Sequence, residues 1–327
     1  MADVVVVGAG IAGLAVAFEL LQDGADVVCF DPAPGSQQSV GPGRIFRLAH
    51  PVAASVADAA AALPHWRRWE GVLDATFVRL SRCTVLGEDA RVHAEAMRQA
   101  GAEVEFTEQP APMLVDRSGG VIDAEAVIAR LAEAVRPVPE AVVAVEHAAG
   151  DLAVRSAAGE VVGARHVVIA SGVLEDRLGD RPRALCHHYR FAIRPTASLS
   201  ALEGSFLDRR RDLPSGWSFY GLRLDERTIG VGGGWAEYPF DTREWDADAA
   251  LADSEREVRA WLELRGEPAA EIVGHVHCVH ECPGSAAPAP YAVAHEGAVT
   301  RISGGELFKF APLLGRSVAA VARGAGP

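Results

Sequence analysis

The sequence predicts an α/β fold in which a domain with a parallel sheet is combined with a second, α+β domain built on an antiparallel sheet. The first observation is the apolar run 4–7, which a glycine-rich turn joins to an Ala/Leu-rich helix. The second is a change from strand/helix alternation at both ends to alternating strands over 184–279. The third is the length of 327 residues, which suggests two domains rather than one.

The glycine-rich turn is followed at the usual distance by a second strand, 26–30, that ends at Asp31. This spacing suits the ADP half of a dinucleotide, because the glycines permit a tight turn and close approach of the pyrophosphate. The phosphates would lie at a helix N-terminus, and the Asp31 carboxylate would accept both ribose hydroxyls. We therefore expect dinucleotide contacts from Gly8, Ala9, Gly10, Ile11, Ala12, Gly13, Asp31 and Pro32. The motif alone does not distinguish NAD from FAD.

The net charge of −13 disfavours binding to nucleic acid or to an anionic membrane surface. No apolar stretch reaches membrane-spanning length, and no basic segment precedes the N-terminal apolar run as in a signal peptide. Five cysteines, an odd number, favour reduced thiols and a cytoplasmic protein. The arginine triplet 209–211 is bracketed by Asp208 and Asp212, and we interpret it as a solvated loop.

The remaining elements follow from periodicity and turn signals. Helices are expected at 53–71, 88–100, 124–134, 247–264 and 313–322, with Asp123 as a cap. Trp66 and Trp69 lie three residues apart on one helix face, which favours a core position. Strands are expected at 76–87, 142–145, 152–154, 160–162, 165–172, 189–194, 217–224, 228–232 and 299–303.

Several separated segments together resemble one enzyme family. Besides the first turn, they are Gly-Arg-Ile-Phe-Arg at 43–47, Gly-Gly-Val-Ile-Asp at 119–123, the strand 165–172, and Gly-Gly-Glu-Leu-Phe-Lys-Phe-Ala-Pro at 304–312. They resemble the D-amino-acid-oxidase-like FAD-dependent oxidoreductases, in particular the monomeric sarcosine oxidase and N-methyltryptophan oxidase branch. The Arg-x-x-Arg and Phe-Lys pieces are specific to that branch, and the similarity runs in order along nearly the whole chain.

The resemblance implies a discontinuous, Rossmann-like FAD-binding domain of the GR2 type and a substrate domain with an antiparallel sheet. The FAD-binding domain would comprise residues 1–74, 118–182 and 284–327. The substrate domain would comprise residues 75–117 and 183–283.

The resemblance also implies roles for single residues. Arg47 and Lys309 would hold a substrate carboxylate, as Arg and Lys commonly do, and Arg44 would lie against the flavin, whose reduction favours nearby positive charge. Tyr220 is assigned to the substrate site, where it and Trp217, Trp235 and Tyr238 form either a pocket wall or core. Further cofactor contacts are expected from Val142, Ser171, Gly172, Cys278, Gly305 and Phe308.

The segment 273–282 is rich in histidine and cysteine. In a strand its side chains alternate between faces, so His275 and His277 would point away from Cys278, and we expect no metal site. The resembled branch attaches FAD through a cysteine in this region. Cys278 is the first candidate and Cys282 the second; two buried free thiols are the alternative.

Two departures from the resembled branch concern the flavin. Its oxidases carry a lysine above the flavin that promotes reaction with O₂, and an ungapped reading from Tyr220 places Val231, or else a neighbouring glycine, there. Lys309 is the only lysine in the chain, so fast use of O₂ is in question. Glu306 stands where the branch usually shows a histidine.

The function that the resemblance implies is oxidation of the C–N bond of a carboxylate-bearing amine or amino acid, with secondary amines among the candidates, by hydride transfer to flavin N5, to give an imine. One alternative is an NAD(P)H-dependent flavin monooxygenase, which Gly304-Gly305-Glu306 disfavours because those enzymes show Gly-Asp there. Another is a non-catalytic flavoprotein scaffold. The identity of the small-molecule amine and the oligomeric state stay open.

Overall fold

The structure is a computed structural model that describes residues 1–36, 39, 41–148, 151–172, 185–210, 212–213, 215–233, 236–238, 246–281 and 291–324. Its α-helices are α1 Ile11–Gln22, α2 Ala53–Leu73, α3 Asp89–Gln99, α4 Ala124–Val135, α5 Ala247–Leu264 and α6 Ala311–Ala322. No helix among the residues described is long and apolar enough to cross a membrane.

The first sheet contains the parallel strands that the N-terminal pattern predicts. Its members are β1 Ala2–Val7, β2 Val27–Phe30, β9 Val142–Ala148, β10 Asp151–Ser156, β11 Val161–Ile169, β18 Tyr291–Glu296 and β19 Val299–Gly304. β1 pairs in parallel with β2 and β11, and β11 pairs in parallel with β19. Val4 and Val6 enter a core that includes residues of α1 and α6, whereas Val5 and Val7 enter a second core on the opposite face. The run 4–7 is apolar throughout because both faces of β1 are buried.

The second sheet has nine strands, and its pairings are antiparallel except that of β13 with β5. Its members are β5 Cys83–Leu86, β6 Glu105–Thr107, β7 Met113–Asp116, β12 Leu185–Arg194, β13 Ser205–Asp208, β14 Phe219–Arg223, β15 Ile229–Gly233, β16 Ala236–Tyr238 and β17 Glu271–Glu281. On one face, Phe191, Phe219 and Val231 pack against Trp261 of α5. The other face of the sheet lines a cavity.

A third, small sheet consists of β3 Gly43–Phe46, β8 Gly120–Asp123 and β4 Val78–Leu80. β3 carries Arg44 and leads directly to Arg47. It contacts β14 of the second sheet and the single helical turn at Phe308–Phe310, which precedes α6. This placement brings the Arg-x-x-Arg segment and the C-terminal Phe-Lys segment together.

The fold class predicted from the sequence is confirmed, with small differences in the elements. Asp123 caps α4 as expected, since its Oδ1 accepts a hydrogen bond from the Ala126 amide at 3.0 Å. Trp66 and Trp69 are fully buried in the first core. The single strand expected at 76–87 is wrong: it is split into β4 and β5, which join different sheets. β14 begins at Phe219, so Trp217 precedes the strand rather than opening it.

Candidate active site

A cavity of about 500 Å³ runs from the end of β1 to the open face of the second sheet. Sixteen of the residues that the sequence predicts for the site line it: Gly8, Gly10, Ile11, Ala12, Asp31, Pro32, Arg44, Arg47, Val142, Ser171, Gly172, Tyr220, Cys278, Gly305, Phe308 and Lys309. Two predicted residues, Ala9 and Gly13, lie in the turn itself without lining the cavity. A single cavity therefore connects the two ends of the predicted site.

The nucleotide end of the cavity is shaped by glycines packed against backbone. Gly8 has a φ of +101°, and a Cβ there would lie 2.5 Å from the Ala170 carbonyl oxygen at the end of β11. A Cβ on Gly13 would lie 1.8 Å from the Gly8 carbonyl oxygen. Larger side chains would push the turn away from the end of β11 and α1 away from the turn, so close packing requires glycine at both positions.

Asp31 holds this turn through its carboxylate. Its Oδ2 accepts a hydrogen bond from the Ala9 amide at 2.5 Å, and its Oδ1 accepts one from the Ala33 amide at 2.7 Å. The Ile11 amide, at the start of α1, donates to Ser39 Oγ at 3.0 Å. The sequence did not point to Ser39, which occupies the helix N-terminus where a phosphate oxygen would accept the same bond.

The donors and cradle at this end fit an FAD. The buried Ser171 Oγ lines the cavity and has no hydrogen-bond partner among the residues described. A buried hydroxyl without a partner is costly and calls for a ligand or water. Together with the Gly8 and Gly13 cradle and the Asp31 carboxylate, it suits the pyrophosphate and ribose of a dinucleotide.

Arg47 and Lys309 meet at the other end of the cavity, as the resemblance implies, with Glu306 between them. Lys309 Nζ donates to Glu306 Oε2 at 2.8 Å, and Arg47 Nη2 lies 3.5 Å from Glu306 Oε1. Arg47 also donates to the Ala49 carbonyl. The side chains of Arg47 and Lys309 are 6% and 7% exposed, whereas that of Glu306 is 47% exposed.

Two braces fix these cations. The Trp66 indole Nε1 donates to the Lys309 carbonyl at 3.1 Å, which ties the Phe308–Phe310 turn to α2. The buried Asp116 carboxylate accepts from the Leu48 amide at 2.5 Å and the Ala49 amide at 3.0 Å, just after Arg47. Both cations are therefore held by buried contacts and not by solvent-exposed pairing alone.

The charges of this cluster perturb one another. Burial raises the pKa of the Glu306 carboxyl, but Lys309 and Arg47 outweigh it and hold that pKa well below the usual range. Burial, reinforced by Arg47 and opposed by Glu306, lowers the pKa of the Lys309 ammonium to about 8. Burial, with Arg47 and Arg209, lowers the pKa of His93 to about 3. At neutral pH Glu306 is therefore charged, and His93, which feels the charges of this cluster, is neutral.

Arg44 lies beside Phe308 on the cavity wall. Its guanidinium carbon is 4.8 Å from the centroid of the Phe308 ring, and its Nη1 donates to the Gly43 carbonyl at 2.8 Å. Arg190, on β12, donates through Nη1 to the same carbonyl at 2.6 Å. Burial, followed by the positive charge of Arg190, lowers the pKa of Arg44 to about 9. The sequence reasoning missed Arg190 because only the strand register brings it to this wall.

The open face of the second sheet supplies the rest of the wall. His188, Tyr220 and Cys278 line the cavity, and His188 stacks on Tyr220 with ring centroids 5.5 Å apart. His188 pairs with Cys278 across β12 and β17. A Cβ on Gly232 would lie 2.7 Å from the Tyr220 hydroxyl, so the absence of a side chain there makes room for the ring. Burial raises the pKa of Tyr220, which stays a neutral phenol.

Val231 does not occupy the place above the flavin that the ungapped reading gave it. Its side chain is fully buried in the core beneath α5, on the face opposite the cavity. Gly232, one residue on, is the position that faces Tyr220 and His188. A shift of one residue exchanges the two faces of a strand, which explains the error.

One other sequence interpretation is corrected, and for Trp217 the core alternative is the one observed. Arg209 is not simply part of a solvated loop: it lines the cavity and donates to Ser218 Oγ at 2.7 Å, whereas Arg210 binds Asp208 at 2.7 Å. Asp208 ends β13 and Arg209 follows it directly, so continuing the strand alternation, which sends neighbours to opposite faces, is the signal that would have found Arg209. Trp217 packs against the core beneath α5 and does not line the cavity.

The segment around residue 278 alternates as expected. His277 stacks on Tyr189 with centroids 4.8 Å apart, on the face opposite Cys278, and Cys278 is 8% exposed. Cys282 and Trp235, and the side chains of His280 and Tyr238, lie outside the described residues. Among the residues described, no group of three or more His, Cys, Asp or Glu side chains could hold a metal ion.

Comparison with known proteins agrees with this geometry. The family model described as "DAO: FAD dependent oxidoreductase" matches residues 3–320. The chain belongs to this family. It is thus an FAD-dependent oxidoreductase, and FAD is the dinucleotide that the cavity fits. No protein of a curated set matches it.

Solved structures share the fold at low sequence identity. NikD, an unusual amino acid oxidase essential for nikkomycin biosynthesis, has a TM-score of 0.84 and 20% identity over 100% of this chain and 95% of its own. Glycine oxidase from Geobacillus kaustophilus has a TM-score of 0.80 and 17% identity over 100% and 95%. L-proline dehydrogenase from P. horikoshii has a TM-score of 0.78 and 15% identity over 98% and 92%.

Proposed function

We propose that this protein oxidises the C–N bond of an amine or amino acid to an imine, as a relative of the sarcosine oxidase and N-methyltryptophan oxidase branch. One observation carries the proposal: a single cavity links the nucleotide turn at Gly8 to the Arg47–Glu306–Lys309 cluster. The cluster contains the Arg-x-x-Arg and Phe-Lys residues that distinguish this branch. NikD, glycine oxidase and proline dehydrogenase, which share the fold, are named for amino acids.

FAD, when bound, would supply the acceptor for the hydride that leaves the substrate carbon next to nitrogen. The chain's contribution is chiefly orientation, which accelerates such a transfer by holding the reactants at short range. His188, stacked on Tyr220, is the imidazole on the cavity wall that would accept a proton from a substrate ammonium. Tyr220 and Phe308 exclude water from the same space.

Arg44, Arg190 and Arg209 give the cavity wall a positive potential in addition to that of Arg47 and Lys309. Buried cations near the flavin would stabilise the negative charge that develops on its reduction. Arg44 would serve that end best, because it lies against Phe308 and keeps its charge at neutral pH although burial lowers its pKa to about 9.

We also propose that the sheets divide the chain as the sequence predicts, into an FAD-binding part (1–74, 118–182 and 284–327) and a substrate part (75–117 and 183–283). Cys278 is the proposed attachment point for the flavin. Its thiol is buried, lines the cavity and lies opposite His188 on the neighbouring strand.

The proposed function is tested by turnover with an artificial electron acceptor. Purified holoprotein should reduce dichlorophenolindophenol when given a substrate from a panel of secondary and primary amines and amino acids, with release of the carbonyl product of imine hydrolysis. Reduction of the dye by NADPH alone, with no response to any amine, would instead support the monooxygenase alternative.

A further inference from the structure

Glu306 places an anion between the two cations that the resemblance assigns to a substrate carboxylate. Each of its oxygens faces one of them: Oε2 accepts from Lys309 Nζ at 2.8 Å, and Oε1 lies 3.5 Å from Arg47 Nη2. The other terminal nitrogen of Arg47 donates to the Ala49 carbonyl. The Lys309 and Arg47 groups that would hold a substrate carboxylate are thus already bound by acceptors of the protein itself, the Glu306 carboxylate and the Ala49 carbonyl.

The Glu306 carboxylate is ionised near neutral pH, because Lys309 and Arg47 outweigh the opposite effect of desolvation and hold its pKa well below the usual range. A carboxylate this acidic is a poor proton acceptor near neutral pH. Its effect on a ligand is therefore electrostatic.

The cluster also keeps an open side. The Glu306 side chain is 47% exposed, and the residue lines the cavity, whereas both cations are almost fully buried behind it. With two positive charges and one negative, the three side chains carry a net charge of +1 instead of +2. A ligand entering from the cavity meets the negative member first.

We propose that Glu306 is a specificity-determining residue: its carboxylate occupies the Arg47–Lys309 pair, so that the site discriminates against a free carboxylate and favours an amine nitrogen at this place. This inference rests on the proposed function. It narrows the substrate class to amines that place a nitrogen, and not a carboxylate, against the Arg47–Glu306–Lys309 cluster. The negative charge of Glu306 repels a ligand carboxylate at short range. The exposed Glu306 oxygens can instead accept a hydrogen bond from the N–H of an ammonium or amine.

The test is the affinity of the holoprotein for acetate, followed by the change in its flavin absorption and by calorimetry. Glu306→Gln removes the charge and keeps the shape. We expect its dissociation constant for acetate to fall roughly 10- to 100-fold, the effect of removing one nearby like charge at an effective dielectric constant of about 20. The titration is done at pH 6, because Glu306 helps to hold the Lys309 proton and the variant needs a lower pH to keep it.

Two control variants isolate the effect. Glu296→Gln makes the same chemical change on the exposed end of β18 and should leave acetate affinity unchanged. Adding Arg47→Gln to Glu306→Gln should reverse most of the gain, since one of the two cations that would receive acetate is removed. An acetate affinity of Glu306→Gln equal to or weaker than that of the unaltered protein would overturn the proposal.

A second measurement needs no variant, in case Glu306→Gln does not retain its flavin. The unaltered holoprotein is titrated with acetate and with acetamide, which differ in charge and not in shape. The proposal predicts comparable affinities, and a preference of about tenfold or more for acetate, 1.4 kcal/mol, would overturn it. Failure of every amine to be oxidised would refute the proposed function but not this binding result, so the two are distinguishable.

Discussion

Gly13→Ala should weaken FAD binding, and the structure sets the size of the effect. The added Cβ would lie 1.8 Å from the Gly8 carbonyl oxygen, 2.9 Å from its carbon and 3.3 Å from Val6 Cγ1. Two of these atoms are backbone of the phosphate-binding turn, so relief requires α1 to move away from that turn by roughly 1.5 Å to reach ordinary contact. Overpacking of this kind costs about 1–3 kcal/mol, and backbone neighbours place it at the upper end.

The strain appears in the FAD affinity because the free protein can relieve it by opening the turn, which FAD must close again. A cost of about 3 kcal/mol raises the dissociation constant about 100-fold. The assay is titration of apoprotein with FAD, followed by quenching of flavin fluorescence, in a Cys278→Ser background so that the flavin exchanges freely.

Gly71→Ala is the matched control. Gly71 is also a helical glycine, in α2, but a Cβ there would meet nothing within 4 Å. Alanine should stabilise that helix by about 0.5–1 kcal/mol and leave FAD affinity unchanged. Equal FAD affinity in the Gly13→Ala and Gly71→Ala proteins would refute the close-packed turn.

Four further predictions concern single residues. Cys278→Ser should release the flavin into the supernatant on acid precipitation, whereas the unaltered protein should keep it in the pellet; flavin in both supernatants would show that Cys278 is a structural thiol. Val231→Lys should lower the free energy of unfolding in urea by about 3 kcal/mol or more, because it buries an unpaired charge beneath α5. The reduced, unaltered protein should reoxidise slowly in air in stopped flow, since its single lysine is paired with Glu306; rapid reoxidation would assign that role to another cation. The free energy of unfolding should decrease as the pH is lowered from about 6.5, because His93 takes up a proton in the unfolded chain but stays neutral in the folded protein down to a pKa of about 3. Each pH unit in this window costs about 1.4 kcal/mol, and His93→Gln should flatten the slope of unfolding free energy against pH.

The nucleotide end of the site could be read from the sequence because its determinants are local. Gly8, Gly13 and Asp31 lie within one strand–turn–helix–strand unit, whose spacing fixes their geometry. The meeting of Arg47 with Lys309, 262 positions apart, could not be derived from local pattern and came from resemblance alone.

The wall of the second sheet was less accessible to sequence reasoning. Arg190 and His188 reach the cavity only because of the register of β12 with β15 and β17. Val231 was placed one residue away from Gly232, which faces Tyr220 and His188, and Arg209 was assigned to solvent because two aspartates bracket its triplet. In each case the face of a strand decides the role, and neither composition nor charge reveals that face.

The measurement that tests the account most directly is the absorption spectrum of the purified protein during anaerobic titration with secondary amines and amino acids. If the protein is an amine-oxidising flavoprotein, we expect a flavin spectrum before substrate is added and its bleaching by at least one amine, with no need for a nicotinamide cofactor. A protein that binds no flavin, or a bound flavin that NADPH bleaches and no amine does, would contradict it.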